Sequence, residues 1–279
     1  MAQMDFFRRT VTDPVKRSAR ILDVAIRRHK PVKVFAMFSG GHDSMCVAHV
    51  ASQRPEFSGC VHINTGIGIE RTREYVRNVC KDFGWPLLEY RAVDHDQDYD
   101  EIVREFGFPG PFAHRFMYIK LKERCVMSLT RDHKKKRLDR VMCVTGVRRA
   151  ESKRRMGSIQ TIKRDGARVW VAPLVDWTSK TKNEYMKHHD LPRNEVVDLL
   201  HMSGECLCGA FARPNELEEI KLWFPKEYQR IKNLEKQAEK RGLHCVWGTP
   251  PPNAVPVDMT QQELPLCVAC VNKNEDTEL

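Results

Sequence analysis

The 279-residue chain has the length of one large domain or two small ones, and its 41% hydrophobic content can supply a core, which excludes wholesale disorder. Its 47 Lys and Arg against 37 Asp and Glu give a formal charge of +10, and residues 120–155 hold the whole excess with fourteen basic and four acidic side chains. No apolar run approaches the roughly 18 residues of a membrane span, MAQMDFFRRT lacks the apolar segment of a secretory signal, and ten Cys point to a reducing, cytoplasmic setting with thiols or metal ligands rather than disulfides.

The spacing predicts a helix over 14–29, with Val15, Ala19, Leu22 and Ile26 on one face. An apolar run at 32–38, bounded by Pro31 and Ser39-Gly40-Gly41, reads as a buried strand, and 43–53 as the helix that follows. Strand 60–64 leads to a helix over 70–83 with Tyr75, Val76, Val79 and Phe83 inward, and then to strand 87–92. A longer helix is predicted over 112–131 and a strand over 140–145. Residues 160–162 and 168–171 read as a hairpin turning through Asp165-Gly166, and 178–188 as a helix closed by Leu191-Pro192. From about Ser203 the character changes to CLCG, two helical stretches, a PPP run and a terminal CVAC.

Strands alternating with helices predict an α/β fold: a doubly wound, mostly parallel sheet with a small C-terminal helical and cysteine-containing subdomain. The expected divisions are an N-terminal helical segment at 1–30, a nucleotide-binding domain at 31–200 and the C-terminal subdomain at 201–279. Ligands of such sheets sit at the carboxyl ends of the strands, where loops follow Phe38, Asn64 and Thr145.

The first of these loops is SGGHDS, residues 39–44. Gly40 and Gly41 let backbone N–H groups approach an anion, Ser39 and Ser44 add hydroxyls, and the next helix adds its positive dipole end. Together they suit a pyrophosphate, although a Gly-Gly turn after a strand is by itself more often just a turn. With no Gly-Lys-Ser/Thr and no third Gly, the loop is neither the Walker type nor the dinucleotide type. The third loop leads into GVRRAESKRR, 146–155, with five cations in the eight positions 148–155. Arg forks suit phosphate or sulfate oxygens, and Glu151 would orient them. Such a string is usually a solvated charge run, but its place directly after a strand favours a ligand. Nine further cations, from Lys120 to Arg140, remain as candidates for a nucleic-acid surface.

SGGHDS resembles the SGGxDS PP-loop of the adenine nucleotide alpha hydrolase-like ATP pyrophosphatases. NTGIGIERTREYV (64–76), GVRRAESKRR and PLVDWTSKTKNEYMKHHDLPRN (173–194) resemble, in order, motifs of the phosphoadenosine phosphosulfate (PAPS) reductase branch, though that branch usually has Asp-Thr-Gly where this chain has Asn64-Thr65-Gly66. The resemblance implies that Ser39, Gly40, Gly41, Asp43 and Ser44 hold phosphates, with Asp43 helping to place Mg²⁺ and His42 at the variable position. It puts Thr65, Gly66, Gly146, Arg148, Arg149, Ser152 and Arg155 against an adenine nucleotide, ATP or a sulfonucleotide. Asp43, Arg148 and Glu151 are the expected catalytic group.

Cys46, Cys60, Cys80, Cys125 and Cys143 lie among apolar residues of predicted elements and read as small buried hydrophobes. Cys206 with Cys208, and Cys267 with Cys270, form two close pairs that could unite into a four-thiolate metal site, for zinc or an iron–sulfur cluster. Cys245 is a spare candidate. The family resemblance favours [4Fe–4S], since related branches carry one, including some adenosine phosphosulfate (APS) reductases and the sulfur-inserting component of DNA phosphorothioation systems. Plain PAPS reductases end in Glu-Cys-Gly-x-His, whereas here Glu205-Cys206 runs into Leu-Cys-Gly. The acidic stretch around His95, with Asp94, Asp96, Asp98 and Asp100, reads mainly as loop solvation and helix capping.

The favoured expectation is ATP-dependent adenylation of an acceptor with pyrophosphate release, coupled to sulfur transfer. Its partners would be a nucleic-acid acceptor and a sulfur donor or thiol reductant protein, with no membrane. The alternatives are a sulfonucleotide reductase releasing sulfite, and a non-catalytic nucleotide- or nucleic-acid-binding module with structural zinc.

Overall fold

The computed structural model describes residues 13–110, 113–149, 160–243, 246–249 and 266. In chain order its elements are α1 (Pro14–His29), β1 (Lys33–Met37), α2 (His42–Ser52), β2 (Phe57–Asn64), α3 (Glu70–Asp82) and β3 (Leu87–Arg91). A 3₁₀ turn (Ala92–His95), α4 (Tyr99–Phe106), α5 (His114–Tyr118), a π turn (Ile119–Glu123), α6 (Arg124–His133) and β4 (Val141–Val144) follow. The described chain then forms β5 (Ile162–Asp165), β6 (Arg168–Val171), α7 (Ser179–His188), α8 (Glu195–Leu200), α9 (Glu216–Trp223) and α10 (Pro225–Glu239). None of the described helices is long and apolar enough to cross a membrane.

Two compact units interleave along the chain. The first comprises Met1–His62, Tyr75–Glu89 and Met127–Arg193, and the second Ile63–Glu74, Tyr90–Val126 and Asn194–Leu279.

In the first unit, the Asp13 carboxylate caps α1 by accepting from the N–H groups of Val15 and Lys16, and Pro14 pre-sets the first turn. The buried face is Ser18, Ile21, Leu22, Ala25 and Ile26, so the helix is rotated from the expected stripe and Val15 and Ala19 are only half-buried. Ser18 explains the rotation. Its hydroxyl lies 2.8 Å from the Pro173 carbonyl and accepts from Trp177 Nε1 at 2.8 Å, so a polar residue is satisfied in the core.

The six strands run in the order β3-β2-β1-β4-β6-β5. β1 pairs parallel with β2 and β4, and β4 pairs parallel with β6, which confirms the mostly parallel α/β sheet. β5 pairs antiparallel with β6 through Ile162↔Val171 and Asp165↔Arg168, turning at Gly166 with φ +58. That strand lies three residues later than expected at its far end, because Lys163, Arg164 and Asp165 form an edge whose burial fades outward and so carries little apolar signal. On α3 the buried apolar positions are Val76, Val79 and Cys80, with Tyr75 half-buried; Phe83 lies just past its end and is 37% exposed, not inward.

β1 has β2 on one side and β4 on the other, so the winding reverses between β1 and β4. The carboxyl ends of these two strands flank the crevice where such sheets take ligands. The loop 39–44 follows β1, and Gly146 follows β4.

The second unit is mainly helical. Its core joins Tyr99, Ile102 and Val103 of α4, Leu121 of the π turn, Val196 and Leu200 of α8, Ile220 of α9, and Ile231 and Leu234 of α10. The acidic stretch serves this packing. Asp98 caps α4 by accepting from Asp100 N and Glu101 N, and Asp100 pairs with Arg230 at 2.5 Å. The single helix predicted over 112–131 is divided by the π turn, where Lys122 is buried and donates to the Leu266 carbonyl at 3.2 Å.

Candidate functional site

In the first unit, the chain leaves β1 through Ser39 and reverses at Gly40, whose φ of +81 is the left-handed conformation that glycine allows without strain. Gly41 is the N-cap of α2 in an extended conformation, and its carbonyl accepts from Met45 N at 2.9 Å. The Ser44 hydroxyl donates to Gly41 O at 2.7 Å and stands 3.3 Å from the Ser39 hydroxyl, so the two serines face one another across the turn. His42 begins α2 and is buried.

Asp43 and Arg148 meet across this turn. Arg148 Nε lies 2.5 Å from Asp43 Oδ1, and Nη2 lies 3.2 Å from Oδ2. The Arg148 side chain is 4% exposed and that of Asp43 21%. A guanidinium this buried needs a carboxylate and further acceptors, and Arg148 Nη1 also reaches the Trp177 carbonyl at 3.4 Å. Gly146 makes the approach possible. A Cβ there would come within 2.7 Å of the Asp43 backbone and 3.0 Å of Ser44 N. The neighbouring Arg149 turns to another partner, Asp176, at 2.5 Å, and Asp176 also holds Arg17 at 2.5 Å. Glu151, Ser152 and Arg155 lie outside the described residues.

The second unit holds the loop after β2. Asn64 Oδ1 accepts from Gly66 N at 3.0 Å, and Gly66 has φ +80. Thr65 is fully buried against Glu205: its N–H donates to Glu205 Oε1 at 2.9 Å and its hydroxyl to Glu205 O at 2.6 Å. Glu205, 4% exposed, also pairs with Arg73 at 3.4 Å. Ile69 N donates to Gly204 O, Leu207 N to Ile67 O, and Thr72 Oγ1 to Ser203 O, so residues 203–207 lie along the loop in a continuous hydrogen-bonded run. Gly68 fits beneath it, since a Cβ there would meet Glu205 O at 2.5 Å. Arg230 donates to Gly66 O at 2.6 Å.

This run carries the first cysteine pair. Cys206 is half-buried and Cys208 buried. Tyr99 donates to Cys208 O at 3.1 Å, and Trp247 Nε1 to Leu207 O at 2.9 Å. Burial pushes the Tyr99 phenol well above its usual pKa, and Cys208, Cys206 and Asp100 add to the effect. Cys267 and Cys270 lie outside the described residues, as does Cys245, and among the described residues no group of three or more His, Cys, Asp or Glu is arranged for a metal. Cys46, Cys60, Cys80, Cys125 and Cys143 are all buried, as expected. Burial pushes the Cys46 and Cys125 thiols up to about 12, which makes them poor nucleophiles.

Glu205 as the partner of Thr65, Arg73 as its counter-ion and Arg230 as a clamp on Gly66 were not foreseen as parts of the loop. Only the position of Glu205 beside Cys206 is visible in sequence; the pairing spans 140 residues.

A mostly parallel sheet with a glycine-and-serine turn at its switch point defines a doubly wound α/β protein. The family model for the phosphoadenosine phosphosulfate reductase domain matches residues 33–203, more than half of the chain, and the protein belongs to that family. It is 48% identical to the phosphoadenosine 5'-phosphosulfate reductase of Xylella fastidiosa strain M12 over 59 residues, 21% of this chain and 24% of that protein. The match thus spans about a quarter of that relative's length. Similarity to the adenosine 5'-phosphosulfate reductase of Bacillus cereus is lower but longer: 24% identity over 196 residues, covering 70% of this chain and 80% of that one. The structure of the U34-tRNA thiolase NcsA from Methanococcus maripaludis, with its [4Fe-4S] cluster, superposes with a TM-score of 0.48 at 15% identity, covering 92% of this chain and 87% of that one.

Proposed function

We propose that the protein is an ATP pyrophosphatase of the PAPS reductase family that adenylates an acceptor and supports transfer of sulfur to it in the cytoplasm. The observation that carries this reading is the β1–α2 turn, where Gly40, Gly41 and the first amides of an 11-residue helix adjoin the Asp43–Arg148 pair. Those amides and the Ser39 and Ser44 hydroxyls would bind the β- and γ-phosphates. Arg148 balances Asp43, so the turn keeps a carboxylate close to the phosphates without repelling them. Asp43 offers hard oxygens of the kind Mg²⁺ takes beside substrate phosphates, and bound Mg²⁺ would supply charge neutralisation at the leaving pyrophosphate. An acceptor oxygen then forms a bond to the α-phosphorus as the bond to the bridging oxygen breaks and pyrophosphate leaves. Gly146, Arg149, Ser152 and Arg155 would complete the nucleotide contacts, with Glu151 orienting the Arg-rich loop.

Cys206 and Cys208 are soft donors on a fixed backbone, which fits a thiolate-bound centre. With Cys267 and Cys270 they would hold a [4Fe–4S] cluster, or Zn²⁺ in its place; when bound, a cluster would supply iron that carries sulfur or electrons from a donor or reductant protein.

A second reading, reduction of APS or PAPS with sulfite release, is supported by the long match to the Bacillus cereus reductase and by Glu205-Cys206 lying along the loop 65–69. The deciding experiment uses anaerobically purified protein. About four iron per chain, lost on Cys206→Ser/Cys208→Ser, together with pyrophosphate release from ATP stimulated by nucleic acid, is the expected result. Sulfite release from APS or PAPS without pyrophosphate release selects the reductase. Zinc alone, with neither turnover, overturns both readings.

A further inference from the structure

The nine cations of residues 120–140 fall in both units. Lys120, Lys122 and Arg124 belong to the second unit, where Lys122 is buried against Leu266 and Lys120 lies 5.2 Å over the Phe116 ring. Arg131, Lys134, Lys135, Lys136, Arg137 and Arg140 belong to the first unit. There they line or adjoin a cleft of about 550 Å³ between the end of α6 with the loop after it and the β5–β6 turn.

The loop that presents these cations is built. The Asp139 carboxylate accepts from Lys135 N at 2.9 Å and Lys136 N at 2.7 Å, and Arg140 Nη1 donates to the carbonyls of Leu138 and Asp139. Asp139 and Arg140 thus spend themselves on the backbone. Lys134, Lys135, Lys136 and Arg137 are exposed, and although the Asp139 charge lies near Lys136 and Lys134, its oxygens bond the backbone. Arg168 stands on the opposite wall, tied to Asp165 at 2.6 Å. The field extends beyond the cleft: burial, and then Arg28, Arg164 and Arg140, hold the His29 pKa below its usual value, which places two more cations, Arg28 and Arg164, with Arg140 around the end of α1.

We propose that this cleft binds the phosphate backbone of a nucleic acid. The wall formed by the end of α6 and its loop carries an array of separate exposed cations rather than one focused pocket, which matches repeating phosphates better than a single small anion. The exposed cations stand on one wall, and the facing wall presents Arg168 with its Asp165 counter-ion. The cleft lies at the amino ends of β4 and β6, while Gly146 and the turn 39–44 lie at the carboxyl ends of β4 and β1. Six residues of extended chain separate Arg140 from Gly146, about 20 Å at about 3.3 Å each. A mononucleotide in the turn does not span that distance, so the cleft's ligand is a polymer or a separate molecule. The inference deepens the proposed reaction by naming its acceptor class and rests on that reading for the catalytic consequence; the binding itself stands apart from it.

The test is fluorescence anisotropy on the full chain with a labelled duplex DNA and an RNA hairpin of the same sequence, each of about 20 base pairs, over a range of salt. Binding without added nucleotide is expected, and the two probes report which polymer is preferred. The Lys134→Gln/Lys136→Gln variant should lower the slope of log K against log salt by about 2, and Lys134→Glu/Lys135→Glu/Lys136→Glu/Arg137→Glu should weaken binding at least about 30-fold. Both should leave ATP binding and the thermal midpoint of the neutral variant unchanged, which separates loss of the cleft from loss of the nucleotide site or of the fold. Unchanged nucleic-acid binding in the neutral and reversed variants overturns the proposal, as does equal competition by anionic vesicles or polyglutamate at matched charge. Failure of pyrophosphate release with binding intact bears on the reaction alone.

Discussion

Arg148 closes two nitrogens of its guanidinium on the two oxygens of Asp43, so the first turn of α2 is fastened to the strand end after β4 by a buried ion pair. Removing either partner strands the other. Asp43→Ala leaves a guanidinium that is 4% exposed without its counter-charge and should cost about 3 kcal/mol in urea unfolding. Arg148→Met/Asp43→Ala should recover part of that loss, because no charge is then left buried. A double-mutant cycle giving a coupling energy near zero would refute the pairing as a structural contact.

Gly146→Ala tests the same junction by shape alone. The added methyl would enter the space of the Asp43 carbonyl and Ser44 N, neither of which is a flexible side-chain end. The turn must shift, with an expected stability loss of about 1–3 kcal/mol and a weakening of ATP binding by tenfold or more. Calorimetric titration with a non-hydrolysable ATP analogue reads the second effect; unchanged affinity would remove Gly146 from the site.

Glu205 is the corresponding centre of the second unit, since it serves Thr65 N–H and Arg73 at once. Glu205→Ala should cost about 2–4 kcal/mol, and Glu205→Gln less, because an amide oxygen still accepts from Thr65. Hydrogen exchange at the Thr65 amide distinguishes the two: fast in the alanine variant, slowed again in the glutamine variant. Equal exchange in both would place the stabilisation elsewhere.

His49 makes the fold acid-sensitive. It bonds Tyr185 OH at 2.7 Å and faces His189 and Phe83, and burial followed by the charge of His189 lowers its pKa to about 4. The unfolded chain takes up a proton on this residue below about 6.5 while the folded chain resists it to about 4. Unfolding therefore binds a proton in that window, and stability falls as pH drops from 6.5 to 4. Carboxylates titrate in the lower part of the same window, so the measure is a difference: the thermal midpoint of His49→Gln should decline less steeply than that of the parent between pH 6.5 and 4.5. Parallel declines would assign the sensitivity to other groups.

What could be read from the sequence was local. The run KVFAM announces β1 because four of its five residues are buried, and SGG after it announces a turn because few other residues bend there. The burial of five cysteines followed from their apolar neighbours. β5 was misjudged because Lys163, Arg164 and Asp165 sit on an edge where polar side chains face water, and α1 was rotated by a serine whose partners, Pro173 and Trp177, are more than 150 residues away. The same holds at the site. Ser39, Gly40 and Ser44 lie together in sequence and in space, but nothing in the spacing says that Arg148 turns to Asp43 while Arg149 turns to Asp176, or that Glu205 underpins Thr65. Such choices depend on which backbone segments meet.

The antiparallel course of β5 has a consequence for how this domain can change over evolutionary time. Thr145 N donates to Val171 O and Ala172 N to Thr161 O, so the chain leaves β4 and returns to β5 at the same end of the sheet, the carboxyl end of β4 and β6. The loop after Arg149 can therefore change in length without sliding any strand past its neighbour. Selection for a new substrate and selection for a sound scaffold then fall largely on separate residues, the exceptions being Gly146 and Arg148, which serve both.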